Sequence, residues 1–229
     1  MLQDILTHYF TRPPSTTAPL TITLDVATHQ PHRDNTKFRV SDAGKCPRMR
    51  VWKRQGKDAH PQPLSVEVAL ALQTGNLLHA FIEYALEAEG VLAAVEVPLE
   101  DAHRLGHLDA VVKDGDKLLL YDFKTVGGKQ MYYLKNEGRP KLEHLAQVLT
   151  YYTMYQDNVG DLDGCRIAYV SRDTLEILDM AVDLQSLPLV HGDWRALLGY
   201  WERQETPPVT AQHWECKYCQ YQTACLPGG

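Results

Sequence analysis

Thirteen positions separate Asp109, in Gly106-His107-Leu108-Asp109, from Asp122, in Asp122-Phe123-Lys124. That spacing constrains this chain more than any other feature. Between the two motifs lies Asp114-Gly115, a turn pair, flanked by strand-like residues 108–112 and 118–123. Pairing the strands about that turn sets Asp109 opposite Leu120. Opposed residues share a sheet face, and side chains alternate along a strand. Asp109, Asp122 and Lys124 therefore point one way, and Leu119, Tyr121 and Phe123 point the other way into a core. Two carboxylates and an ammonium on one face outline a divalent-cation site of the kind that cleaves phosphodiesters. Hard carboxylates suit Mg²⁺ or Mn²⁺. The Phe123 carbonyl is available beside them, and Lys124 can orient or deprotonate a water or stabilise charge developing on phosphorus.

The elements around this hairpin follow from periodicity. Residues 64–90 read as a helix, with Ser65 as N-cap and Gly90 as stop. Its apolar stripe includes Leu77, Leu78, Phe81, Ile82, Ala85 and Leu86, and His79 lies in the same segment. A histidine there suits either a packed core position or a ligand. Residues 91–99 read as a strand that precedes the hairpin, and Glu96 in it has no role fixed by spacing. Residues 141–155 form a strong helix, on which Gln147 and Tyr151, four apart, share a face. That face can pack at the sheet edge or orient Lys124 and touch phosphate. Strands at 166–171 and 175–182 and a helix at 194–204 follow. The order predicts an α/β chain with a mixed central sheet flanked by helices. Residues 1–40 read as loosely structured with a short helix at the start, and 41–229 as the domain proper, with a small module at 206–229.

Composition sets limits. A length of 229 residues is enough for a substantial core. The net charge of −6 argues weakly against a nucleic-acid partner, but Lys45, Arg48, Arg50, Lys53, Arg54 and Lys57 form a basic run with no acid inside it. The run is either a solvated segment or a path for phosphate, with Arg48, Arg50 and Lys53 as candidate DNA contacts. No apolar run is long enough to span a bilayer and no N-terminal signal pattern is present, so a cytoplasmic protein is expected. Five cysteines in a reducing compartment read as metal ligands or buried thiols. Cys216, Cys219 and Cys225 form Cys-x2-Cys-x5-Cys, with Cys46 far upstream. Four thiolates suit zinc or an iron–sulfur cluster. The one-plus-three split favours the cluster over the paired-cysteine pattern common in zinc modules. Cys165 reads as a small buried residue.

In order, His79, Gly-x-x-Asp at 106–109, Asp-x-Lys at 122–124 and Gln-x3-Tyr at 147–151 resemble the motif series of RecB-type nucleases in the PD-(D/E)XK superfamily. Cys46 with the C-terminal triplet is similar to that group's iron–sulfur subset. The subset includes AddB-type nuclease domains and the CRISPR-associated RecB-like exonucleases. The short length most resembles the CRISPR-associated form or a stand-alone phage relative. The resemblance implies His79, Asp109, Asp122 and the Phe123 carbonyl as metal ligands and Lys124 as catalytic. It places Gln147 and Tyr151 near the DNA and a 4Fe–4S cluster on the four cysteines. The implied activity is an exonuclease on single-stranded DNA or duplex ends, acting beside recombination or CRISPR-adaptation proteins. Asp122 departs from the glutamate many relatives carry, by one methylene. Two rivals remain at this point: a non-catalytic nucleic-acid binder with a structural metal, and an endonuclease or flap nuclease of the same superfamily.

Overall fold

The computed structural model describes residues 1–12, 36–60 and 65–225. Helix α1 (Leu2–Thr11) is the short helix expected at the start, and most of the segment expected to be loose lies outside the described residues. Then come β1 (Phe38–Arg39), α2 (Pro47–Arg54), α3 (Val66–Ala88), β2 (Leu92–Glu100), β3 (Arg104–Asp114) and β4 (Lys117–Val126). They are followed by α4 (Gly128–Glu137), α5 (Leu142–Asn158), β5 (Gly164–Ser171), β6 (Ile177–Ala181) and α6 (Leu187–Glu202), with short α7 (His213–Cys216) and α8 (Gln222–Cys225).

The strands form one mixed sheet in which β3 pairs with β2 along one edge and with β1 and then β4 along the other, and β5 and β6 follow β4. β1–β3 and β4–β5 are parallel pairs, and the other pairs are antiparallel. Leu119, Tyr121 and Phe123 face α1 and α3, packing with Leu2, Leu6, Ile82 and Leu86. On the opposite face Leu120 and Ile167 pack with α4, α5 and α6 through Met131, Leu149, Met154 and Trp194. Each layer therefore covers one side of the alternation predicted from sequence.

Ser65 caps α3, its Oγ accepting from the Val68 N–H at 3.4 Å. The hairpin register differs from the expected one. Asp114 pairs with Lys117 and Ala110 with Tyr121, so the turn falls on Gly115-Asp116, one residue later. The observed register sets Val112 against Leu119, Val111 against Leu120 and Asp114 against Lys117. The expected one would have set the buried Val112 against Lys117 and Asp109 against Leu120, facing an apolar with a charged side chain in each pair. Continued by one step, the observed register brings Asp109 opposite Asp122, where Leu120 was expected. A shift of two residues preserves the face, so the two acids and Lys124 still point the same way.

Candidate functional site

Below the Ala110–Tyr121 pair, Asp109 enters the ladder with its side chain: the Phe123 N–H donates to Asp109 Oδ2 at 2.7 Å. Asp122 is fully buried. Its Oδ2 forms an ion pair with Lys124 Nζ at 2.7 Å, and neither carboxylate oxygen is placed to accept a hydrogen bond among the described residues, Oδ1 having no partner of any kind. A buried carboxylate oxygen without a donor is costly, and native folds keep few of them. Burial pushes both Asp109 and Asp122 up to about 6, against the pull of the Lys124 ammonium. Burial works to lower Lys124, but the two carboxylates outweigh it and hold the ammonium protonated. Two carboxylates against one ammonium leave a net negative centre above that range, with an unsatisfied oxygen in it.

Helix α3 brings His79 to this centre. Gly75, one turn earlier, passes so close to β4 that a Cβ there would stand 2.9 Å from Thr125 Oγ1. His79 packs edge-on against the Phe123 ring at 5.7 Å and hydrogen-bonds the Phe123 backbone. Burial and then Lys124 hold it below the ordinary histidine value, so its imidazole is neutral at pH 7. One turn further along α3, Glu83 is pushed up to about 7 by burial and then by Glu96 and Asp109. Glu96 stands in β2 at φ +46°, in the left-handed region. Glu83 was not singled out in the sequence; its only signal there is the four-residue step from His79.

Helix α5 closes the other side with His144, Gln147 and Tyr151 on one face. Tyr151 is buried and bonded to the Gln147 side chain and the His107 backbone. A Cβ on Gly106 would lie 2.6 Å from the Tyr151 hydroxyl. The glycine of Gly-x-x-Asp thus exists to admit the tyrosine of Gln-x3-Tyr, and the two motifs form one contact. His144 Nδ1 meets the Tyr169 hydroxyl at 2.9 Å, and Tyr169 pairs with Lys124 across β4–β5. Burial and the nearby lysines, Lys124 first, push His144 down to about 3.

The four cysteines line one cavity of about 30 Å³, together with Arg48 and Trp52. Cys46 sits at the N-cap of α2. Burial works to raise its thiol, but backbone N–H groups of Met49, Thr210, Ala211 and Arg48 outweigh it and hold the thiol low. Burial and the neighbouring sulfurs raise Cys216 and Cys219. Cys165 is buried, as expected. Lys45 and Lys57 of the basic run are exposed, while Arg48, Arg50 and Lys53 are engaged within the fold. Arg50 is 2% exposed, stacked 4.2 Å over Trp194 and paired with Asp193 at 2.6 Å. Lys53 is paired with Asp42. Arg48 donates to the Pro207 carbonyl at 2.8 Å and approaches Cys225 Sγ at 3.4 Å. Amphipathic α2 turns these side chains inward because its partners, 11 to 177 residues away in sequence, supply acids, carbonyls and an indole.

Among the described residues, no group of three or more His, Cys, Asp or Glu side chains stands in metal-holding geometry. The donor chemistry nevertheless fits a cation in both places. Asp122 carries an orphaned buried oxygen beside Asp109 and a neutral imidazole, a set suited to a hard divalent ion. The converging thiols suit zinc or an iron–sulfur cluster.

A mixed sheet whose hairpin presents Asp, Asp-x-Lys and a helical histidine defines a nuclease-type core. The sequence matches the PD-(D/E)XK nuclease superfamily over residues 44–226, and the chain belongs to it. No curated protein sequence matches it. Among solved structures, the protein SSO0001 is 17% identical with a TM-score of 0.53, over 99% of this chain and 93% of that one. The alkaline exonuclease LHK-Exo from Laribacter hongkongensis is 17% identical with a TM-score of 0.53, over 75% and 90%. The same enzyme solved with dAMP gives 18% and 0.52 over the same shares. At these identities the likeness is one of fold. No helix among the described residues is long and apolar enough to cross a membrane.

Proposed function

We propose that this chain is a divalent-metal-dependent deoxyribonuclease that removes nucleotides from single-stranded DNA or duplex ends. The observation that carries the reading is the buried Asp122 carboxylate, with one oxygen unpartnered, beside Asp109 and Lys124. Asp109, Asp122, His79 and the Phe123 carbonyl would hold Mg²⁺ or Mn²⁺. When bound, such an ion lowers the pKa of a water and neutralises charge on the phosphoryl oxygens. Lys124 remains protonated between the two acids, so its role is electrostatic: it steadies the attacking water and the charge that builds on phosphorus. The water gives up a proton as its oxygen bonds to phosphorus, and the departing strand oxygen takes up a proton as its bond to phosphorus breaks. Tyr151, set by Gly106 and Gln147, holds the β3 side of the cleft in place.

Exonuclease action draws support from the fold neighbour LHK-Exo, an alkaline exonuclease also solved in complex with dAMP. The cysteine cavity belongs to the same reading as a 4Fe–4S staple on Cys46, Cys216, Cys219 and Cys225, with zinc as the alternative; iron and zinc analysis of the purified protein decides between them. The activity is tested with linear and covalently closed circular single-stranded DNA in Mn²⁺. Cleavage of the linear strand alone is expected, because an exonuclease needs an end. Cutting of the circle assigns an endonuclease, and binding without cutting assigns a non-catalytic binder.

A further inference from the structure

The N-terminal end of β3 carries a second polar feature that the cation centre does not use. A cavity of about 10 Å³ opens between β1, α2 and Asp42. Five of its seven lining residues are cationic and one is acidic. The acid, Asp42, is already matched by Lys53 and by Lys45 at 3.1 Å. Lys37 is matched by Glu100 at 2.5 Å. Arg54 Nε donates to the Thr36 carbonyl at 3.0 Å, and what remains is a set of guanidinium N–H groups without acceptors. Arg50 Nε and Nη2, Arg39 Nε and Arg54 Nη1 are buried and have no hydrogen-bond partner among the described residues. Arg50 is held rigidly, with its remaining terminal nitrogen on Asp193 and its plane over Trp194.

Native folds leave few buried donors unsatisfied, and four on three residues lining one cavity call for an acceptor. The space admits one oxygen-sized atom, and planar guanidinium forks match the oxygens of a phosphate. We infer that this cavity receives one oxygen of a backbone phosphate belonging to the DNA strand cut at Asp109 and Asp122; the inference rests on the nuclease reading above. The topology sets both places along one line. Leu105 pairs with Glu100 of β2 and Arg39 of β1, and Val112 pairs with Leu92 of β2 and Leu119 of β4. β1 and β4 therefore lie on the same edge of β3, with residues 106–109 between them. From Leu105 to Asp109 is about 13 Å of strand at ~3.3 Å per residue, the axial span of about four phosphates on one strand of B-DNA. A DNA strand lying along this edge places one phosphate at the arginines and a later one at the acids.

The test uses Arg39→Gln and, separately, Arg54→Gln, with melting curves to confirm folding, and exposed Arg139→Gln as control. Calorimetry with inorganic phosphate reads the cavity alone. Binding of a labelled single-stranded oligonucleotide in EDTA, in a Lys124→Ala background, reads the strand. Saturable phosphate binding by the unsubstituted protein is expected. Arg39→Gln and Arg54→Gln should each weaken phosphate and DNA binding about tenfold, and reduce the slope of log K against log salt by about one. Arg139→Gln should change neither. No saturable phosphate binding overturns the inference, because the donors then serve water alone. Phosphate binding lost in a variant with unchanged DNA affinity also overturns it, because the site then takes free anions and not the strand. If the unsubstituted protein cuts no DNA, the nuclease reading fails while the phosphate arm still reports on the cavity.

Discussion

The acid–lysine centre and the cysteine corner are built on opposite plans. Asp109, Asp122 and Lys124 come from one hairpin, placed by the pleat of two adjacent strands. The cysteine corner joins Cys46 to residues 216–225 and depends on the chain closing on itself through α2, with Arg48 reaching Pro207 and Cys225. The first is a local geometry that buries charge and leaves a carboxylate short of donors; the second is a long-range closure. The difference predicts a division of labour, with function concentrated in the first and stability in the second.

The sharpest way to break that comparison is Lys124→Ala. Cleavage should fall about 10²–10⁴-fold with DNA binding and folding retained, as read by initial rates and melting curves. Unchanged cleavage would remove Lys124 from the chemistry. Cys219→Ala should do the reverse. On the proposed staple, losing this thiol should cost more than about 4 kcal/mol, seen as a lowered melting temperature and lost metal content. A variant that melts like the parent would show that the corner is no staple.

Asp109→Asn sharpens the charge argument. Burial raises Asp109 from 3.8 to about 6 in the fold, so the folded chain binds this proton more tightly than the unfolded chain. The sign follows: stability from this group is greatest below pH 4, falls as pH rises through 4 to 6, and stays low above that window. In EDTA the asparagine variant should therefore be more stable than the parent at pH 8, by up to about 3 kcal/mol at ~1.4 kcal/mol per pKa unit, with the gap closing near pH 4. A constant difference between pH 4 and pH 8 would contradict the burial account. Gly106→Ala should have the smallest effect on stability, about 1–3 kcal/mol from the clash with Tyr151. It should also lower cleavage, which a rate measurement on Gly106→Ala checks against Tyr151→Phe.

Local patterns made part of this legible in the sequence. The alternation around the hairpin placed both acids and Lys124 on one face even though the pairing was two residues off, because face depends only on parity. Ser65 and the stripe after it predicted α3, and the periodicity through Leu145, Leu149 and Tyr152 predicted α5. The sequence concealed what depends on distant partners. β1 is two residues long and exists because Arg104 and Leu105 supply its ladder. The inward turn of Arg50 depends on Asp193 and Trp194, more than 140 residues away. Helix α4 begins at Gly127-Gly128 and carries few buried residues, so its period is weak. The Gly106–Tyr151 contact shows the same limit, since both motifs were visible but their meeting was not.

The most direct measurement is a cleavage assay on end-labelled linear single-stranded DNA, using protein purified without oxygen, in Mn²⁺, Mg²⁺ or EDTA, with Asp122→Asn alongside. The account predicts stepwise shortening of the strand with a divalent ion, none in EDTA, and none by the asparagine variant. Degradation that persists in EDTA, or that survives Asp122→Asn, would contradict a cation held at Asp109 and Asp122 as the source of the chemistry.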